Sequence, residues 1–240
     1  MISKVALLII GNEILTGRVK DQNGPFFAEW LADYGADLER LVVLPDTLHL
    51  IAEEVARSSL SFDAVLTTGG VGATHDDVTF EAVARGLGIG VARHAGLEEL
   101  LRSRHGIEPD PAWDRMLQLP EGAELADDSG YPLIRVQNVF MFPGVPRFVR
   151  SKVNALAPFL HGRPRHVARL YLTVPEHQVA ALLRDVDAAE PSVSIGSYPK
   201  FDDEDHAVEV VLESRSEPDC RRVQGLIEAG LAPGWLLRRG

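Results

Sequence analysis

Apolar residues fall along the chain in short unbroken runs that alternate with stretches of helical period. Residues 5–10 are six apolar positions in a row, the pattern of a parallel strand covered on both faces. Asn23-Gly24-Pro25 opens a helix, with Asn23 as its cap and proline in its first turn. Phe26, Phe27, Trp30 and Leu31 continue that helix to a stop near Gly35. Residues 41–44 predict a second strand. Leu48, Ile51, Ala52 and Val55 then predict a helix capped by Asp46 or Thr47. Residues 64–67 predict a third strand, which runs into Gly69-Gly70-Val71-Gly72 and a helix from about Asp77 to Leu87. This βαβαβα order predicts an α/β domain of three layers, a mostly parallel sheet with helices on both faces.

The later pattern is more broken. A helix is expected over residues 96–105, a break at Glu108-Pro109-Asp110-Pro111, and a short helix carrying Trp113 and Met116. Residues 120–136 suggest a hairpin, residues 139–142 a strand ended by Pro143-Gly144-Val145-Pro146, and residues 148–160 a helix. His161-Gly162-Arg163-Pro164-Arg165 is polar and turn-forming. It divides a domain at 1–160 from a small α+β unit at 165–240. That unit reads strand, helix, strand, strand, helix, strand, which is the ferredoxin-like split order. The acidic cluster Asp202-Asp203-Glu204-Asp205 reads as a solvated hairpin loop.

Composition narrows the function classes. Apolar residues make up 45% of 240 residues, enough for a full core. A net charge of −11 lacks the basic footprint of a duplex nucleic-acid binder. The one cysteine, Cys220, forms neither an intramolecular disulfide nor a zinc cluster, and a reducing cytoplasm is the simplest setting. The apolar run at 5–10 is too short for a signal-peptide core or a membrane span, so no membrane association is expected.

The segment richest in chemistry is Thr67-Thr68-Gly69-Gly70-Val71-Gly72-Ala73-Thr74-His75-Asp76-Asp77-Val78-Thr79. Three glycines in four positions permit a sharp strand-to-helix turn and close approach of a ligand to the main chain. Amides at Gly69, Gly70 and Gly72 and at the next helix start form an anion site, to which Thr68 and Thr74 add hydroxyls. The turn is neither a Walker loop nor the dinucleotide fingerprint. Asp76 and Asp77 either cap the following helix or hold a divalent cation that bridges to phosphate. Asp46, after the second strand, sits on the same sheet edge and is a cap or a catalytic group. Glu13, Asn23, Pro143 and Gly144 belong to loops on that edge, where ligands of open α/β sheets bind. His75 is the histidine beside this segment, as a phosphate contact or a bystander.

The Gly-Asn-Glu-Ile-Leu-Thr-Gly segment at 11–17, the Thr-Gly-Gly turn with its aspartate, Asp46 and the Pro-Gly-x-Pro turn together resemble the MoaB/Mog molybdopterin-binding domain. With Asp21, Asn23 and Thr-His-Asp-Asp-Val-Thr-Phe-Glu, the likeness is to the branch of CinA N-terminal domains and the molybdopterin-binding-like domain of eukaryotic FAD synthetases. Ile195-Gly196-Ser197-Tyr198-Pro199 extends it into the tail. The resemblance implies a MoaB/Mog-like fold over 1–160. It also implies a metal-dependent nucleotide pyrophosphatase acting on FAD or ADP-ribose, with magnesium or cobalt as cofactor. Adenylyl transfer to a pterin, or binding of a pterin or nucleotide without turnover, is the other reading. Asp77 and Asp46 match the family's aspartates and are the expected catalytic residues; Asp76 and Asp77 are the expected metal ligands. Ala73 replaces a proline usual in that branch, and His75 stands where lysine or arginine is common. The 240 residues leave no room for the amidohydrolase or adenylyltransferase domain of such relatives, so neither activity is expected. Relatives of this kind form dimers or trimers, so a homo-oligomer is expected.

Overall fold

The structure is a computed structural model that describes residues 2–105, 114–127, 131–160, 162–201 and 205–240. The Glu108–Pro111 break, Trp113, His161 and the acidic residues 202–204 lie outside the described residues. The chain divides into two compact units, residues 1–162 and 163–240.

The first unit runs β1 (Lys4–Ile10), α1 (Asn12–Leu15), α2 (Asn23–Asp33), β2 (Asp37–Leu44), α3 (Leu48–Ser61), β3 (Ala64–Thr68), α4 (Thr79–Leu87), β4 (Val91–Arg93), α5 (Ala95–His105), α6 (Asp114–Leu117), β5 (Gln118–Pro120), β6 (Glu124–Leu125), β7 (Ile134–Val136), β8 (Val139–Phe142) and α7 (Pro146–Lys152), then a 3-10 helix at Val153–Phe159. The main sheet has the order β2-β1-β3-β8-β7-β6. Its first four strands are parallel, and β7 and β6 close the far edge antiparallel.

Strands β1, β3 and β8 sit in the middle, and every residue of them is buried except Lys4. Their side chains alternate between two cores, as the period of a strand requires. Leu8, Ile10, Val65, Val139 and Met141 face α3, α4 and α5. Val5, Leu7, Ile9, Leu66, Phe140 and Phe142 face α2, α7 and the 3-10 helix. Phe27 of α2 meets Phe142 edge to face, with ring centroids 5.0 Å apart. Full burial of each such side chain contributes about 1.5–3 kcal/mol. Helices α3 and α4 approach closely because Gly86 has no Cβ, which would lie 2.6 Å from the Ala52 carbonyl oxygen.

One local expectation is corrected, and one strand without a sequence signal is added. Residues 148–160 are not one helix: α7 ends at Lys152 and tightens into the 3-10 turn that contains Pro158, since proline lacks the amide an α-helix needs. Residues 91–93 form β4, paired antiparallel with β5.

The second unit comprises β9 (His166–Leu172), α8 (Glu176–Ala189), β10 (Ser194–Pro199), β11 (Val208–Ser214), α9 (Glu217–Gly230) and β12 (Leu236–Arg239). Its sheet order is β10-β11-β9-β12, antiparallel throughout, which is the ferredoxin-like arrangement. Inward Val208, Val210 and Leu212 alternate with half-exposed neighbours along β11 and pack against Val179, Leu183, Val223 and Ile227 of the two helices.

Candidate functional site

Strand β1 leads to α2 on one face of the main sheet, and its neighbour β3 leads to α4 on the other. The connections therefore diverge at the carboxyl ends of these two strands and leave a crevice, the topological switch point. A cavity of about 1000 Å³ opens there. Ile10, Gly11 and Glu13 line it from β1, Asp46 from β2, Gly69–Gly72 with Asp76 and Asp77 from β3, and Pro143–Pro146 from β8. Phe148, Ser151 and Lys152 of α7, with Met116 and Tyr131, complete the wall.

The glycine turn takes its shape from backbone constraints. Gly69 has φ +105° and Gly70 φ +63°, and a Cβ on Gly69 would sit 2.1 Å from the Ile10 carbonyl oxygen. Such a conformation strongly favours glycine. The Gly69 amide donates to the Phe142 carbonyl at 3.2 Å, so it is not part of an anion cradle. The amides of Gly70, Val71 and Gly72 donate no hydrogen bond among the described residues. Thr79 pins the turn from below: its hydroxyl donates to the Gly69 carbonyl at 2.8 Å and its amide to the Gly70 carbonyl at 3.0 Å.

Asn23 and Thr68 are buried beneath the cavity floor and do not line it. The Thr68 hydroxyl donates to the Pro143 carbonyl at 2.8 Å, so it accepts from Asn23 Nδ2 at 3.0 Å. The same Nδ2 donates to the Gly144 carbonyl at 2.8 Å. Both acceptors need the amide nitrogen, which fixes the orientation of the side chain. These bonds hold the Pro143–Gly144 turn against the glycine turn, where a Cβ on Gly144 would lie 3.2 Å from Gly69 Cα.

The three helix-cap readings are corrected. Asp21, not Asn23, caps α2: its carboxylate accepts from the Asn23 amide at 2.9 Å and the Gly24 amide at 3.0 Å. Thr47 holds the N-cap position of α3 without a side-chain bond, while Asp46 caps nothing there; its Oδ2 accepts from the Asn12 amide at 2.8 Å and ties the β2 loop to the β1 loop. Helix α4 has no side-chain cap. Instead Asp77 Oδ2 accepts from the Thr74 amide at 2.8 Å and from the Thr74 hydroxyl. Thr74 itself is exposed and off the cavity wall. Hydrogen bonds from Thr74 and from its own amide, with the nearby charges of His75 and Arg115, hold the Asp76 carboxyl below its usual range.

Three lining or neighbouring residues escaped the sequence reading. Arg115 donates to the carbonyls of His75 at 3.5 Å and Asp77 at 3.2 Å and braces the loop. Tyr131 donates to the Met116 carbonyl at 3.0 Å, and burial raises its phenol pKa. Lys152 is 6% exposed. Its only sequence signal is the spacing of Phe148, Ser151 and Lys152, which puts all three on one face of the helix after the Pro-Gly-x-Pro turn.

Fold and edge together define the class: an α/β protein with its crevice at the switch point of a mostly parallel sheet. The chain belongs to the family described as the probable molybdopterin binding domain, which matches residues 6–162. Residues 164–239 match the FAD synthase middle domain. A protein of Archaeoglobus fulgidus is 32% identical over 200 residues, covering 81% of this chain and 85% of the relative. A probable FAD synthase of Caenorhabditis briggsae is 29% identical over 91% of this chain and 48% of its own length. A CinA-like protein of Desulfotalea psychrophila is 31% identical over 82% of this chain and 51% of its own. The chain thus spans about half the length of these last two relatives. Among solved structures, the protein CinA of unknown function from Thermoplasma acidophilum superposes with a TM-score of 0.60 at 24% identity, covering 65% of this chain and 98% of that one; at that identity the likeness is one of fold. Among the described residues no helix is long and apolar enough to cross a membrane.

Proposed function

We propose that this protein is a metal-dependent nucleotide pyrophosphatase acting on FAD or ADP-ribose. The observation that carries the reading is the convergence of four strand ends on one cavity, with a glycine turn of unpaired amides beside Glu13, Asp46, Asp76 and Asp77. Amides without internal partners at a strand-to-helix turn are an anion site. Carboxylates at the same place repel phosphate unless a cation lies between them.

Among the described residues no three histidine, cysteine, aspartate or glutamate side chains converge as a closed metal cluster. Magnesium does not require one, because it is commonly held by one or two carboxylates together with substrate phosphates and water. Asp76 and Asp77 fit that donor set, and their hard oxygens suit magnesium better than a nitrogen-seeking metal. The metal would supply Lewis-acid polarisation of a phosphate oxygen and neutralise charge developing on it.

The chain's own groups do the rest. The amides of Gly70–Gly72 hold the diphosphate. The Asn12 amide fixes Asp46 through Oδ2, so its other oxygen, Oδ1, takes the proton of an attacking water. Water adds to one phosphorus, the bridging P–O bond breaks, and the leaving phosphate carries away the bond's electron pair. The products are AMP with FMN, or AMP with ribose 5-phosphate. Incubation of the full chain with FAD and with ADP-ribose, with and without magnesium or cobalt, followed by nucleotide chromatography, tests this. Metal-dependent release of AMP is expected. No AMP under any combination overturns the reading. The family match favours a second one in that case: pterin or nucleotide binding, with adenylyl transfer or without turnover.

A further inference from the structure

The large cavity is unbalanced in charge. Glu13, Asp46, Asp76 and Asp77 line it, and among its described lining residues a single cation, Lys152, stands against them. The basic groups of the loop side do not enter it. His75 is exposed and off the cavity wall. Arg115 lines a separate, smaller cavity, where its guanidinium meets the carbonyls of His75 and Asp77. Positive charge therefore reaches the large cavity from the α7 side.

Lys152 is an unusual residue to find there. It ends α7 and is 6% exposed, flanked by core residues Val149 and Val153. A lysine ammonium is compact and strongly hydrated, so its burial opposes folding unless a counter-charge is near. Burial lowers the pKa of Lys152, and the charge of Asp127 opposes that shift only in part. The same helix face brings Ser151 and Phe148 to the cavity wall, so a hydroxyl-bearing and an aromatic residue line it together with Lys152.

We infer that Lys152 is the anion-recognition residue of this cavity, pairing with the diphosphate oxygens of a bound nucleotide and selecting phosphorylated ligands over free nucleosides. The inference rests on the reading of the cavity as a nucleotide diphosphate site, and it holds whether or not the ligand is hydrolysed. Phosphate oxygens pair with the one cation of the described lining through charge-assisted hydrogen bonds. A nucleoside without phosphate gains nothing from it.

The test is calorimetric titration of the full chain with ADP and with adenosine, for wild type, Lys152→Met and Lys152→Gln, beside thermal unfolding without ligand. Hydrogen bonds to charged groups correspond to a weakening of about ten- to a hundredfold. That loss is expected for ADP in both variants, with adenosine affinity unchanged and the fold retained. Equal ADP affinity in the variants overturns the inference. So does an equal loss for ADP and adenosine with a fall in melting temperature, which would mark a structural partner of Asp127. Wild-type protein that binds no ADP overturns it as well. Wild-type protein that binds ADP through Lys152 but releases no AMP from FAD or ADP-ribose removes the hydrolase reading alone.

Discussion

Asp77 turns its carboxylate back onto Thr74, accepting the Thr74 amide at 2.8 Å and the hydroxyl of the same residue. Helix α4 begins two residues later and receives no side-chain cap. Capping therefore does not account for an acidic residue here. Asparagine can still accept from Thr74 through its carbonyl oxygen, so Asp77→Asn is expected to change stability by less than about 1 kcal/mol. Most turnover of FAD or ADP-ribose should be lost with the charge. Nucleotide release and thermal unfolding, measured side by side, check this. Full turnover in a well-folded variant would remove Asp77 from the catalytic groups and leave Asp46 as the remaining one.

Gly69→Ala should be among the most damaging single-methyl additions in the chain. The new Cβ would meet the Ile10 carbonyl oxygen at 2.1 Å, at a backbone φ of +105°. Strain of that kind costs about 1–3 kcal/mol before the clash is counted, so a loss of at least 3 kcal/mol is expected. Gly225→Ala is the control, because nothing lies within 4 Å of its added Cβ. Chemical denaturation of the two variants should separate them clearly.

Asn23→Ala leaves the Thr68 hydroxyl and the Gly144 carbonyl without the amide that serves both. A destabilisation of about 1–3 kcal/mol is expected, together with weaker ADP binding as the Pro143–Gly144 turn loosens. Asn23→Asp should not rescue either property at pH 7, because a carboxylate has no proton to donate. Recovery by aspartate would show that volume, not hydrogen bonding, is what the position needs.

Asp63 governs part of the acid limb of stability. It accepts from the Ser3 and Lys4 amides and the Ser3 hydroxyl, and these bonds hold its pKa below the ordinary 3.8. A depressed folded-state pKa stabilises above the unfolded value and loses that contribution as pH falls through the folded value. Asp63→Asn should therefore be destabilising at pH 7, with the gap to wild type narrowing as pH falls below 3.8. Denaturation midpoints across that range check the sign; a gap that widens towards acid would contradict it.

Much of the main domain was legible locally. The unbroken apolar runs of β1, β3 and β8 announce burial on both faces, and the three glycines after β3 announce a turn that side chains would obstruct. The alternating pattern of β11 likewise announces a sheet covered on one face. Less was legible where elements are short or exposed. β4 has no buried residue, so no hydrophobic period marked it. The cap of α2 was misplaced by two residues because Asp21 and Asn23 both suit a cap by type.

The sequence by itself determined which residues stand at the carboxyl ends of the strands: Glu13, Asp46, Gly69–Gly72 with Asp76 and Asp77, and Pro143–Gly144. Position along a strand is a local property, set by hydrophobic period and turn residues. Tertiary structure decided what those residues do to one another. Asn12 and Asp46 are 34 positions apart, and Asn23 and Gly144 are 121 apart; only the order β2-β1-β3-β8 makes them neighbours. That order also brings the last residue of α7, Lys152, to the wall of a cavity rich in carboxylates. Its spacing with Phe148 and Ser151 marks a shared helix face but not burial, because the cost and the use of a buried charge depend on what the fold packs around it.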